Sequence, residues 1–209
     1  GGNDGTATLN ASGGTGTLAE DWGAVNPTQL SLGTYNYTIT DANQCTYTNS
    51  VTITDPSPIT VTETITNVSC NGGNDGTATL IITGGTGVLT EDWGTANPTQ
   101  LSTGIYNYTI TDANQCTYTD TVTITEPLAI SASSTITDVS CNGGNNGSAT
   151  VNISGGVTNY ILSWDVYTYT LYSAISVFTT PTGVPAGTYP FSITDDNGCS
   201  FFDTIIINQ

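Results

Sequence analysis

The sequence predicts an all-β chain of tandem immunoglobulin-like β-sandwich modules, and three observations predict it. One 71-residue step separates Gly1 from Gly72, Trp22 from Trp93 and Cys45 from Cys116. Val, Ile, Leu and Tyr alternate with Thr at period two, which is strand chemistry. Gly-, Asn- and Asp-rich turns interrupt these runs at short intervals, and no segment carries a helical period.

The repeat organises every element. Gly1-Gly2-Asn3-Asp4-Gly5-Thr6-Ala7-Thr8-Leu9 returns letter for letter from Gly72 to Leu80, and Cys70 and Trp93 return as Cys141 and Trp164. Cys199 lies 83 rather than 71 residues after Cys116, so 12 residues are inserted within 165–185. A step this long fits beads with separate cores rather than a solenoid. Asp55-Pro56 and Glu126-Pro127 mark the boundaries, because Pro interrupts a central strand. The modules are then 1–55, 56–126 and 127–209. The first begins beyond the position of its first strand, so it reads as incomplete and the chain as cut from a longer array. The open edge is expected to be filled by covalent continuation upstream rather than by another subunit.

In the second module, strands are expected at 59–69, 77–82, 87–93, 99–101, 105–111 and 117–125. Alternation places Ala78, Leu80 and Ile82 on one face, and Tyr106, Tyr108 and Ile110 on another. The turns between strands are Asn74-Asp75-Gly76, Gly84-Gly85-Thr86-Gly87 and Asp112-Ala113-Asn114-Gln115. One Trp per copy is expected to pack between the sheets.

Composition removes whole classes of function. The chain has 209 residues with no Lys, Arg, His or Met, and a net charge of −17. Without cations there is no footprint for nucleic acid and no polybasic attraction to membranes. Without His there is no Ser-His-Asp or Cys-His centre and no His-ligated zinc. Lacking Lys excludes a Schiff base, a P-loop and Lys–Asn cross-links, and trypsin has no site. No apolar run is long enough to cross a bilayer, and five cysteines point to an oxidising compartment.

The run Val68-Ser69-Cys70-Asn71-Gly72-Gly73-Asn74-Asp75-Gly76-Thr77-Ala78-Thr79 resembles the opening of a SprB-type repeat. Its later partner, Gly104-Ile105-Tyr106-Asn107-Tyr108-Thr109-Ile110-Thr111-Asp112-Ala113-Asn114-Gln115-Cys116, resembles the close of one. The resemblance extends over all three copies. Such repeats occur in very large surface adhesins of gliding bacteria of the Bacteroidetes type. It implies an immunoglobulin-like fold, secretion to the cell surface and a role in adhesion or motility, with no catalytic residues. The insertion after Trp164 and the stretch Val88-Leu89-Thr90-Glu91-Asp92, where the family is often aromatic, depart from the pattern.

The cysteines admit two connectivities. Pairing within a copy gives Cys70–Cys116 and Cys141–Cys199, with Cys45 bonded outside the chain; pairing between copies gives Cys45–Cys70 and Cys116–Cys141. The within-copy scheme is the expected one, on the supposition that the turn after the first strand and the last hairpin share a pole. Asn-x-Ser/Thr sequons stand at Asn10, Asn36, Asn67, Asn107, Asn146 and Asn152, and alternation turns Asn10, Asn36, Asn107 and Asn152 away from the core. Asp120-Thr121-Val122 and Asp203-Thr204-Ile205 share a slot and resemble the O-glycosylation signal of Bacteroidetes-type secreted proteins, making Thr121 and Thr204 the expected glycan carriers. The recurring acids sit where turns need them. If a metal binds at all, it is Ca²⁺ at the boundary acids Asp55 and Glu126; no other cofactor is expected.

The expected function is a non-enzymatic structural or adhesive array of an extracellular surface protein or filament, glycosylated and partnered by further copies of itself. The alternative is a carbohydrate-binding array of a secreted enzyme, which needs exposed aromatics; Tyr167, Tyr169, Tyr172 and Phe178 are its candidates, although Tyr167 and Tyr169, on one face of a strand, fit the core of an enlarged sheet equally. A glycosidase using Glu91 and Asp92 is disfavoured, because adjacent strand residues face opposite ways.

Overall fold

The computed structural model describes residues 2–164, 167–171, 176–180 and 183–209. All regular structure in it is β, as the alternation with Thr requires. The chain divides into two compact units, Gly1–Pro58 with Gly84–Thr86, and Ile59–Thr83 with Gly87–Gln209.

The first unit holds one antiparallel sheet of β1 (Ala19–Asp21), β2 (Gly33–Thr40) and β3 (Thr46–Ile53), in that spatial order. Residues 6–11 run extended beside it without a strand ladder, held at one end by the reciprocal Gly5–Leu30 backbone bonds and by the Ala7 N–H to the Pro27 carbonyl at 2.9 Å.

The second unit contains two sandwiches. In the first, β4 (Thr60–Thr66) and β5 (Thr77–Thr83) pair over seven positions, from Thr60 opposite Thr83 to Thr66 opposite Thr77. They face a sheet ordered β6 (Thr90–Asp92), β7 (Gly104–Thr111), β8 (Thr117–Ile124). Trp93, Leu101, Tyr108, Ile110, Val122 and Ile124 fill the space between. In the second, β9 (Ser131–Thr137) and β10 (Ser148–Ser154) face a sheet with β11 (Tyr160–Trp164), β14 (Gly187–Thr194) and β15 (Ser200–Ile207). The insertion contributes β12 (Tyr167–Leu171) to the edge of the larger sheet, against β11, and β13 (Val177–Thr179) to the smaller, against β10. It widens both layers.

Two expected strands are shorter than the sequence suggests. The 87–93 run shrinks to β6, because the Gly84, Gly85 and Gly87 backbones take positive φ and spend the preceding residues on a turn. The 99–101 run is a single bridge, Gly76 to Leu101, because Asn97 turns the chain by accepting the Thr99 N–H at 3.1 Å.

Three local devices recur. A Cβ on Gly76 would meet the Leu101 carbonyl and an Ile124 methyl at 2.8 Å, and Gly5 and Gly147 meet the same kinds of atom; close backbone approach demands glycine there. Tyr35, Tyr106 and Tyr189 each donate a hydroxyl to the carbonyl four residues upstream, on Ser31, Ser102 and Pro185, at 2.9–3.0 Å. This is the tyrosine corner of immunoglobulin-like sandwiches. Finally, Asp41, Asp112 and Asp195 close the last hairpin of each copy by accepting the N–H groups two and four residues on.

Candidate functional site at the repeat junction

The cysteines meet where the second and third copies join. Cys70 follows β4, and Val68 donates its N–H to the Thr125 carbonyl just beyond β8, so Cys70 lies at the pole where β8 ends. Cys116 lies in the β7–β8 hairpin, where Thr111 pairs with Thr117. That is the opposite pole, on the order of 30 Å away along β8. A disulfide spans Cα atoms no more than about 7 Å apart, so Cys70–Cys116 cannot form. The equivalent hairpin of the third copy starts from the junction, and its Cys199 meets Cys70: the two are bonded, with Cα atoms 5.6 Å apart and 129 residues between them in sequence. The expected within-copy pairing of Cys70 with Cys116 and of Cys141 with Cys199 is therefore corrected, as is the between-copy pairing of Cys45 with Cys70 and of Cys116 with Cys141. Strand direction overturns the first scheme: the chain traverses three strands, β5, β6 and β7, between Cys70 and Cys116, and an odd number of traverses ends at the opposite pole. Cys45, Cys116 and Cys141 are exposed thiols.

Polar contacts fix the junction around this bond. The Gly72 N–H donates to Glu126 Oε2 at 2.6 Å, Asn71 Nδ2 to the Pro127 carbonyl at 3.1 Å, and Asn197 Nδ2 to the Ser69 carbonyl at 2.9 Å. Asp75 accepts both the N–H and the hydroxyl of Ser69, and the hydroxyl bond is the first cause holding its carboxyl below the usual range. Asp41 is held low as well, by the Thr15 N–H before any other donor. The recurring acids thus organise turns. Glu126 spends a carboxylate oxygen on Gly72, Asp55 is exposed, and no group of three or more Cys, Asp or Glu that could hold a metal gathers among the described residues.

The glycan candidates occupy exposed positions: Asn10, Asn36, Asn67, Asn107, Asn146, Asn152, Thr121 and Thr204 all face solvent. They are not equivalent. Asn67 accepts the Thr125 N–H, and Asn146 both accepts the Ser140 N–H and donates to its hydroxyl, so these two hold loops. Thr121 and Thr204 sit on edge strands, each with its N–H on the carboxylate of the preceding Asp, at 2.8 and 2.7 Å. Asn107 stands directly opposite Thr121 in the ladder.

The aromatics are largely core. Trp22, Trp93 and Trp164 are buried, as the packing expectation requires. Trp93 donates to Glu91 at 3.1 Å, and Asp92 accepts the Gly94 N–H, so both acids of the disfavoured glycosidase serve the turn. Phe178 is 4% exposed and edge-on to Trp164, which corrects its standing as an exposed candidate. Tyr167 and Tyr169 lie on β12 at register positions opposite Trp164 and Leu162; Tyr172 lies outside the described residues. The tyrosine corner escaped sequence reasoning, although Gly33-Thr34-Tyr35, Gly104-Ile105-Tyr106 and Gly187-Thr188-Tyr189 carry its signal in every copy.

No curated protein matches the chain. The family model of the SprB repeat matches residues 62–90 and 133–174, which cover β4–β5 with the Cys70 turn, and β9–β12 with the Cys141 turn. Those two stretches are thus similar to the SprB repeat, and the glycine bridge, the tyrosine corner and the Asp-closed hairpin recur in all three copies.

Proposed function

We propose that the chain is a stiffened section of an extracellular surface protein, structural or adhesive and without catalysis. SprB repeats belong typically to surface proteins of adhesin type. The observation that carries the reading is the Cys70–Cys199 bond, which ties successive repeats rather than closing one. A covalent staple across a junction already held by Glu126, Asn71 and Asn197 resists bending at the point where a bead array is weakest. Cys141 occupies the slot of Cys70, and Cys45 and Cys116 the slot of Cys199, so the same bond to the matching cysteine of a neighbouring copy would continue the staple along the array. Glycans on Thr121 and Thr204 would shield the edge strands that carry them.

Antibodies against the chain should label intact, unpermeabilised source cells or filaments shed from them. Labelling only after lysis would reject the surface reading. Under tension, single molecules should lengthen in longer steps after reduction; identical traces with and without reductant would remove the staple from the account.

A further inference from the structure

The outer face of the third copy's larger sheet differs from its counterpart in the second copy in three ways at once. Strand β12 joins the edge of β11, so the sheet has four strands where the second copy has three. Phe202 stands in the slot of Thr119, which adds a ring, and Ser163 stands in the slot of Asp92, which removes an acid. Alternation turns Ser163, Ser192 and Phe202 outward, because Leu162, Trp164, Phe191 and Ile193 beside them are buried in the core.

The ladder lines these residues up. Phe202 lies opposite Ser192, Ser192 opposite Ser163, and Ser163 opposite Thr168, so one row crosses all four strands. A second row runs beside it from Ser200 through Thr194 and Ile161 to Thr170, with the Ser200 and Thr194 hydroxyls 3.2 Å apart. Phe202 is 75% exposed. No outward position on β11, β14 or β15 carries a charge, in a chain of net charge −17.

This chemistry selects an occupant. The exposed apolar groups, Phe202, Ile206 and Ile161, are separated by hydroxyls, whereas the centre of a protein interface is contiguous and apolar. A neutral face suits an uncharged ligand. A phenyl ring offers a platform to the C–H face of a pyranose, and a file of hydroxyls can both donate to and accept from its alcohols. The strand spacing of about 4.8 Å is close to the rise per ring of an extended, equatorially linked sugar chain.

We propose that this face binds a neutral, extended polysaccharide laid across the strands, one ring stacked on Phe202 and the next two over Ser192 and Ser163. The inference rests on the adhesive side of the proposed role and gives it a ligand class; it is independent of the Cys70–Cys199 staple. Its ring is none of those expected from the sequence, since Phe178 is buried.

The probes are β-linked cellohexaose, mannohexaose and xylohexaose, titrated calorimetrically into the full chain produced without glycans. Thr204 lies one row away, opposite Pro190, and left bare it cannot place the protein's own sugar on the face. At least one hexaose should bind, and maltohexaose, whose axial linkages coil the chain, should bind at least about tenfold more weakly. F202T, which installs the second copy's residue at an exposed position, should weaken binding by about tenfold or more with thermal unfolding unchanged. S163D should weaken it as well, by placing a charge beneath the sugar. No binding of any of the three, equal binding of maltohexaose, or F202T or S163D binding like the wild type would each overturn the proposal. So would self-association that F202T abolishes, which would make the face a contact between chains. Surface labelling of cells without hexaose binding would leave the stiffened section standing and remove its ligand.

Discussion

At the residue scale, two contacts make sharp predictions. The Tyr108 phenol is pushed above its ordinary range, first by burial and then by its bond to Glu63. Its folded value lies above its unfolded value of about 10. The stability it contributes is therefore complete below about pH 10 and is lost as pH rises through the folded value. Tyr108→Phe should cost about 1 kcal/mol at neutral pH and flatten the alkaline decline, read by urea unfolding between pH 8 and 12. Asp75 runs the other way: held low, it stabilises above its unfolded value of about 4 and loses that contribution in acid. Gly76→Ala should destabilise by about 1–3 kcal/mol through overpacking against Leu101 and Ile124. The Asn-Asp-Gly run was legible as a turn, but the need for glycine was not. It arises from a carbonyl 25 positions further along the chain.

At the element scale, the last hairpin offers a controlled comparison. Gln44 and Gln115 take φ near +65°, and Gly198 fills that slot in the third copy. A side chain in this region costs about 1–2 kcal/mol. Gly198→Gln should therefore lower stability by about 1 kcal/mol, whereas Gln115→Gly should be neutral or stabilising, both read from thermal unfolding. Strand positions in the second copy were legible because alternation sets them: 105–111 and 117–125 stand within a residue of β7 and β8. The alternation of Tyr167 and Tyr169 made β12 legible as a strand, whereas β13 was not, because the insertion has no second copy to compare. Phe178 looked like a ligand platform for the same reason; only its packing against Trp164 shows it to be core.

At the scale of the whole molecule, the staple dominates. Closing a loop of 129 residues contributes about 5 kcal/mol on the chain-entropy view. Cys70→Ser should lower the unfolding free energy of the 59–209 unit by about that much, and reductant should do the same to the wild type and nothing further to the variant. Cleavage at Asp and Glu without reduction should recover Cys70 joined to Cys199; recovery with Cys116 would refute the junction. The intact mass of native material should exceed 21.6 kDa if Thr121 or Thr204 bears a glycan, and a mass at that value would leave both bare. By itself the sequence determined the all-β class, the copy number, the turns and the exclusion of cation-dependent chemistry, since composition, period and alternation are local properties. Only the tertiary structure decided which cysteines meet. That depends on which pole each strand delivers its end to, and strand direction is settled by packing across a sandwich rather than by any residue's neighbours in sequence.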